Sequence, residues 1–203
     1  MQYADVVEWQ NELLESEDTK AGRDFWRDYF RKIDFTPLSR SLPFELTPER
    51  HAFEREVVEK ALEFKLVSRI NAFCSLYDVS PEDFLLACFK VMLWRITGHL
   101  NVVVGCEFDG RKYEELQDAL GLFAKYLPLQ AHIEPELPFS KFLAQIDNSA
   151  SEAGKWQESF TWSQTESSSD SNGAVLPFGF AYSEIPAKQA YGDVEFSMVR
   201  QDV

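Results

Sequence analysis

SPEDFLLACFKVMLWRITGHLNVVVGCEFDGR, residues 80–111, spells out a helix, a stop and a strand without interruption. Ser80 is a good N-cap, Pro81 suits the first helical position, and Asp83 places an acid three residues after the cap. From Phe84 to Thr97 the apolar residues Leu85, Leu86, Cys88, Phe89, Val91, Met92, Leu93, Trp94 and Ile96 fall on nearly every side. A helix of that kind is expected to be buried between layers, with Trp94 in the core. Gly98 suits the left-handed residue that ends a helix. Asn101 to Phe108 then reads as a buried strand closed by an Asp109-Gly110 turn. A buried helix leading straight into a buried strand calls for helices packed on a sheet.

The flanking sequence extends that scheme. Upstream, Val67, Ile70, Phe73, Cys74 and Tyr77 form a helical stripe, and Phe53, Arg55, Val57 and Glu59 alternate as a strand would. Pro37, Pro43 and Pro48 impose an extended connector. Before it stand two helical patterns, one through Val6, Val7, Leu13 and Leu14, the other through Phe25, Trp26, Tyr29, Phe30 and Ile33. Downstream, Tyr113–Leu120 suits a short helix, and Leu127, Leu129, Ala131 and Ile133 alternate as a second strand. Phe139, Phe142, Leu143, Ile146 and Ala150 mark another amphipathic helix, and Leu176–Ile185 and Val194–Val199 are late strands. The Ser-, Glu- and Asp-rich stretch near 163–173 is expected to be a mobile loop. The predicted fold is α/β, a two-layer sandwich of a mixed sheet and packed helices. Residues 1–49 make helices and an extended linker, and 50–203 make the compact body. No internal repeat is visible.

Composition removes several classes of function. The chain has 203 residues, is 45% hydrophobic, and contains five Trp, seven Tyr and seventeen Phe, enough for one real core. A net charge of -14 opposes binding to nucleic acid or to an anionic membrane surface. No apolar run reaches the ~18 residues of a membrane span. Asp5 and Glu8 stand where a signal peptide carries basic and then apolar residues, so a cytoplasmic protein is expected. Cys74, Cys88 and Cys106 lie in apolar patterns without C-x-x-C spacing and read as reduced, buried thiols.

The usual catalytic motifs are missing. There is no G-x-S-x-G elbow, no P-loop, and no His/Cys/Asp grouping with metal-ligand spacing, so no metal site is expected. His51, His99 and His132 each stand apart from a second histidine; His99 sits where a cation favours the end of a helix. Asp109-Gly110-Arg111 is, on its own, a tight turn with a locally paired arginine.

Three elements taken in order resemble a known family. Tyr3-Ala4-Asp5-Val6-Val7-Glu8-Trp9 resembles a Y-x-D-[FY]-A-x-W element, and Val102–Arg111 resembles a V-V-V-G-x-x-x-x-G-R strand and turn. Leu120-Gly121-Leu122-Phe123 resembles the start of a [VI]-G-x-F-V-N-T element. These are elements of the second half of a nonribosomal peptide synthetase condensation domain, and the resemblance runs from Tyr3 to about Gln157. It implies one lobe, the C-terminal one, of a two-lobed chloramphenicol acetyltransferase-like fold, with the helices and linker of 1–49 between the lobes. In that family a His-His-x-x-x-Asp-Gly loop upstream of the first element supplies the catalytic base, and this chain carries no such sequence.

The resemblance implies roles residue by residue. Tyr3, Asp5 and Trp9 are structural, and Gly105, Gly110, Arg111, Gly121 and Tyr126 border the substrate tunnel. The parent would form an amide between carrier-bound acyl and aminoacyl thioesters. Its partners would be peptidyl and aminoacyl carrier proteins and the N-terminal lobe; phosphopantetheine is brought by the carriers, and no cofactor is bound directly. The family's Asn-Thr pair is replaced by Lys125 and Tyr126, and its H-Q-D-Y-P-F element by Trp156-Gln157-Glu158-Ser159-Phe160. Those departures suit a starter-type, specialised or degenerate condensation-like domain as well; a non-catalytic module that recruits a carrier protein or a tailoring enzyme is a second reading, and a lobe of a coenzyme A-dependent acyltransferase is a third. Strand alternation puts Lys125 on the side of Leu127, Leu129 and Ala131, and Tyr126 on the opposite side, toward the substrate path.

Overall fold

The computed structural model describes residues 8, 19–33, 56–117, 119–162, 176–184, 188–192 and 194–196. Its elements, in chain order, are α1 (Lys20–Lys32), α2 (Phe64–Tyr77), α3 (Pro81–Thr97), β1 (Asn101–Phe108), α4 (Glu114–Gln117) and β2 (Lys125–His132). They continue with α5 (Phe139–Lys155), a 3-10 turn (Gln157–Ser159), β3 (Gly179–Phe180), β4 (Gln189–Tyr191) and β5 (Val194–Phe196). Strand β1 is central: it pairs antiparallel with β2 over its whole length and parallel with β3, a mixed sheet in the order β2-β1-β3. Strands β4 and β5 form a separate antiparallel pair.

The alternation read from sequence sets which side of the sheet the helices cover. Val102, Val104 and Cys106 of β1 and Leu127, Leu129 and Ala131 of β2 join one buried cluster with Leu86 and Leu93 of α3 and Phe142, Leu143 and Ile146 of α5. Helix α3 starts as its sequence dictates, the Asp83 backbone N–H donating to Ser80 Oγ at 2.9 Å. It stops at Gly98, whose φ of 74° suits glycine and whose N–H donates to the Trp94 carbonyl at 2.7 Å.

Helix α1 docks by an aromatic seam. Trp26 is fully buried, stacks edge-on against Phe160 at 4.9 Å between ring centroids, and donates its indole N–H to the Trp156 carbonyl at 2.8 Å. Gly22 permits the approach, since a Cβ there would collide with the Ser159 side chain. Tyr29 reaches the outer edge of β2, where its hydroxyl accepts the Gln130 backbone N–H at 2.8 Å.

Three expectations are corrected. Helix α3 is not buried all round: Leu86, Ala87, Lys90 and Leu93 form one buried stripe, while Met92 and Ile96 are exposed and Trp94 is half-buried beneath the Arg95 guanidinium. Residues 56–63 form no strand, and Val58 is almost fully exposed; 51–55 lie outside the described residues. Cys74 and Cys106 are buried but Cys88 is exposed. The helix near 114 covers only Glu114–Gln117, and among the described residues of the pattern from 176 only Gly179–Phe180 forms a strand; Val194–Phe196 is a strand as read, with 197–199 outside the described residues. The helical pattern at 6–14 and the loop near 163–173 lie outside the described residues, Glu8 apart.

Candidate functional site at the end of the central strand

The residues singled out from sequence gather around the C-terminal end of β1. Gly105 is buried and donates its N–H to the Phe178 carbonyl at 2.9 Å, just before the parallel pairing of Gly105 with Gly179. A Cβ at Gly105 would stand 2.9 Å from Leu176 Cδ1, so glycine lets the third strand come close. Gly110 has a φ of 67°, and a Cβ on it would run into the Phe123 carbonyl. Arg111 lies over the Phe123 ring at 4.4 Å, and its Nη2 donates to the Ala119 carbonyl at 3.0 Å. Its own N–H donates to Asp109 Oδ1 at 3.0 Å. Gly110, Arg111 and Phe123, with buried Leu116 and Ala119, therefore make a small separate core that fixes the turn. Gly121 sits on the exposed loop beside it.

Tyr126 stands directly opposite Glu107 in the β1–β2 register, and its hydroxyl donates to Glu107 Oε2 at 2.9 Å. Burial, then the hydrogen bond to Glu107 and its charge, push the phenol up to about 12, so it remains a donor at neutral pH. Lys125 emerges on the other side and pairs with the buried Glu158 at 3.4 Å. Glu107 and Gly179 escaped the sequence reading. Glu107 was recoverable from strand register once Tyr126 was chosen. Gly179 carried only the general signal of a glycine inside a strand.

Next to this strand end lies a cleft of about 410 Å³ lined by Glu82, Asp83, Glu107, Asp109 and Tyr182 over an apolar floor that includes Leu86 and Cys106. Desolvation first, then repulsion from neighbouring acids, raises the pKa of Glu82; desolvation likewise raises that of Asp83, against the Ser80 hydrogen bond. Below the floor, Lys90 is fully buried and donates to the Leu129 carbonyl. Its burial lowers its pKa to about 8, and burial raises the Cys106 thiol to about 12.

No paired histidine base is found here. His132 is exposed, with Nδ1 2.7 Å from Asn101 Oδ1, His99 is exposed at the end of α3, and His51 lies outside the described residues, as do Tyr3, Asp5 and Trp9. Among the described residues no His, Cys, Asp and Glu side chains group as a metal site, and no helix is long and apolar enough to cross a membrane.

A helix-backed mixed sheet with a glycine-bearing central strand and an arginine-stapled turn makes a two-layer α/β lobe. Residues 1–159 match the sequence model of the condensation domain, and the chain belongs to that family. Bacitracin synthase 3 of Bacillus licheniformis is 25% identical over 158 residues, 78% of this chain and 2% of that protein. The fold is similar to the first condensation domain of the CDA synthetase, with a TM-score of 0.71 and 17% identity over 94% of this chain and 42% of that one. It is also similar to a chain in the complex of the X-domain and OxyB from teicoplanin biosynthesis, with a TM-score of 0.62 and 21% identity over 78% of this chain and 35% of that one. The chain thus spans a small part of its synthetase relative and under half of either solved chain.

Proposed function

We propose that this chain is the C-terminal lobe of a peptide-bond-forming condensation domain, whose parent joins a carrier-bound acyl thioester to a carrier-bound amino acid. The observation that carries the reading is the family match across 1–159, supported by the β1 strand and turn, where Gly105, Gly110 and Arg111 resemble the family's strand-and-turn element. In this reading Gly105, Gly110, Arg111, Gly121 and Tyr126 border the substrate tunnel, and Tyr3, Asp5 and Trp9 fix the exit from the first lobe. Carrier proteins deliver the phosphopantetheine arms, the first lobe supplies the base, and the setting is the cytoplasm. Lobe boundaries follow the sequence: helices and linker over 1–49, the lobe proper over 50–203.

Because the chain contains no His-His-x-x-x-Asp-Gly loop, it should be inert alone. Incubation with loaded donor and acceptor carriers should leave both unchanged by intact-protein mass spectrometry, and adding the first lobe should yield the condensed product. Product from the chain alone would point to a base among its own three histidines and overturn the division of labour.

A second reading is a non-catalytic module that recruits a tailoring enzyme or carrier. The similarity in fold to a chain of the X-domain–OxyB complex and the Lys125-Tyr126 replacement favour it. A two-lobed parent that forms no amide yet retains a partner protein in a pull-down would establish it. Turnover with acyl-coenzyme A and no carrier would instead favour a coenzyme A-dependent acyltransferase.

A further inference from the structure

We infer that Tyr126 limits the length of acyl donor the domain accepts, with Glu107 and Gly179 as the residues that position its ring. This rests on the condensation reading and extends it by naming the substrate property that is selected.

The ring is held at two points. Its hydroxyl is tied to Glu107 on the neighbouring strand, and its Cε1 lies 3.8 Å from where a Cβ of Gly179 would stand. Gly179 belongs to β3, which pairs with β1 and not with β2. The side chain of Tyr126 therefore spans the central strand and comes to rest on the third. Gly179 is absent from the glycines with positive φ, and a Cβ on it would just touch the ring, so a methyl fits there and only a bulkier side chain would press on the ring. Beside it, Leu176 occupies the room left by Gly105. With its one polar atom tied to Glu107, the ring presents an apolar aromatic face, a surface suited to stop an alkyl chain. A side chain ending at Cβ or Cγ could not cross β1, and would leave open the room that the ring now fills. The half-buried ring acts as an end wall for a chain running along this side of the sheet.

The test uses the domain with both lobes, one fixed aminoacyl carrier as acceptor, and acyl pantetheine thioesters from acetyl to dodecanoyl as donors. The native domain should show a steep fall in kcat/KM beyond a short chain. Tyr126→Ala should move that fall to longer donors and raise kcat/KM for the first excluded donor, relative to acetyl, by roughly tenfold or more, the worth of a methylene or two in an apolar pocket. Tyr126→Phe should keep the cut-off, because the ring still rests on Gly179. Gly179→Val, which lifts the ring, should shorten it, and Lys125→Ala should leave the length profile alone. Should Tyr126→Ala fail to fold, Tyr126→Thr, suited to a strand, and Gly179→Val decide in the same way. A flat native profile, or a Tyr126→Ala profile superimposable on the native one, overturns the inference and leaves the condensation reading standing. Absence of amide product from every donor with both lobes present overturns that reading and the inference with it.

Discussion

Lys90 is a charged residue in the buried stripe of α3, with one hydrogen bond, to the Leu129 carbonyl. Burial holds its pKa at about 8, against an ordinary 10.5, so the folded state sheds this proton before the unfolded state does. Its effect on stability is therefore unfavourable below about pH 8 and shrinks as pH rises from 8 toward 10.5. Lys90→Met should stabilise the protein by about 1–3 kcal/mol at pH 7, after the lost hydrogen bond is counted. The gain should fade in alkaline solution. Urea unfolding of both proteins from pH 6 to 10 measures it; a pH-independent difference would contradict a charged buried amine. No sequence pattern warned of this residue, because a lysine within an apolar run ordinarily reaches water by its long stem. Gly110 was visible beforehand as a turn glycine. Its positive φ and the Phe123 carbonyl against it predict that Gly110→Ala costs about 2–4 kcal/mol, seen as a lowered urea midpoint with unchanged slope.

At the level of elements, signals confined to a few neighbouring residues were legible. The Ser80 cap, the Gly98 stop and the alternation of β2 depend on local geometry, and all three stand in the structure as read. What depended on distant partners was less legible. The apolar sequence of α3 could not reveal which side of it the sheet and α5 would cover, so Trp94 was placed too deep. The alternation at 53–59 suggested a strand, but strand formation requires ladder pairing, and its described part, 56–59, is not a strand. This difference is measurable. Trp26→Ala should cost about 3–5 kcal/mol, because Trp26 is fully enclosed and loses its bond to Trp156; Trp94→Ala should cost roughly half as much. Chemical denaturation of the two variants side by side gives the order, and equal losses would mean that Trp94 is more enclosed than its half-buried position indicates.

For the molecule as a whole, fold class was readable because a helix and strand of opposite periodicities adjoin at 80–111. The family was readable because glycines and one arginine recur where a strand turns. The candidate site was readable only in part. Gly110 and Arg111 belong to a stapled turn and Gly105 and Tyr126 to the sheet, and the link between them is the strand β1 itself. Glu107 and Gly179 entered only through strand pairing, a relation between segments about seventy residues apart for the latter, which no single-window pattern contains.

The contact between Tyr29 and the backbone of Gln130 has a further consequence. Among the described residues strand β2 ends the sheet, and an unprotected sheet border is a template on which another polypeptide can add itself. The tyrosine hydroxyl, carried by α1, satisfies one outward N–H of that border. Helix α1 therefore also acts, at this point, as a guard against aggregation. Tyr29→Ala should remain folded when dilute yet form β-rich assemblies as its concentration rises. Light scattering and thioflavin fluorescence would follow this, and a variant that stays monomeric at high concentration would show that the border is protected by other means.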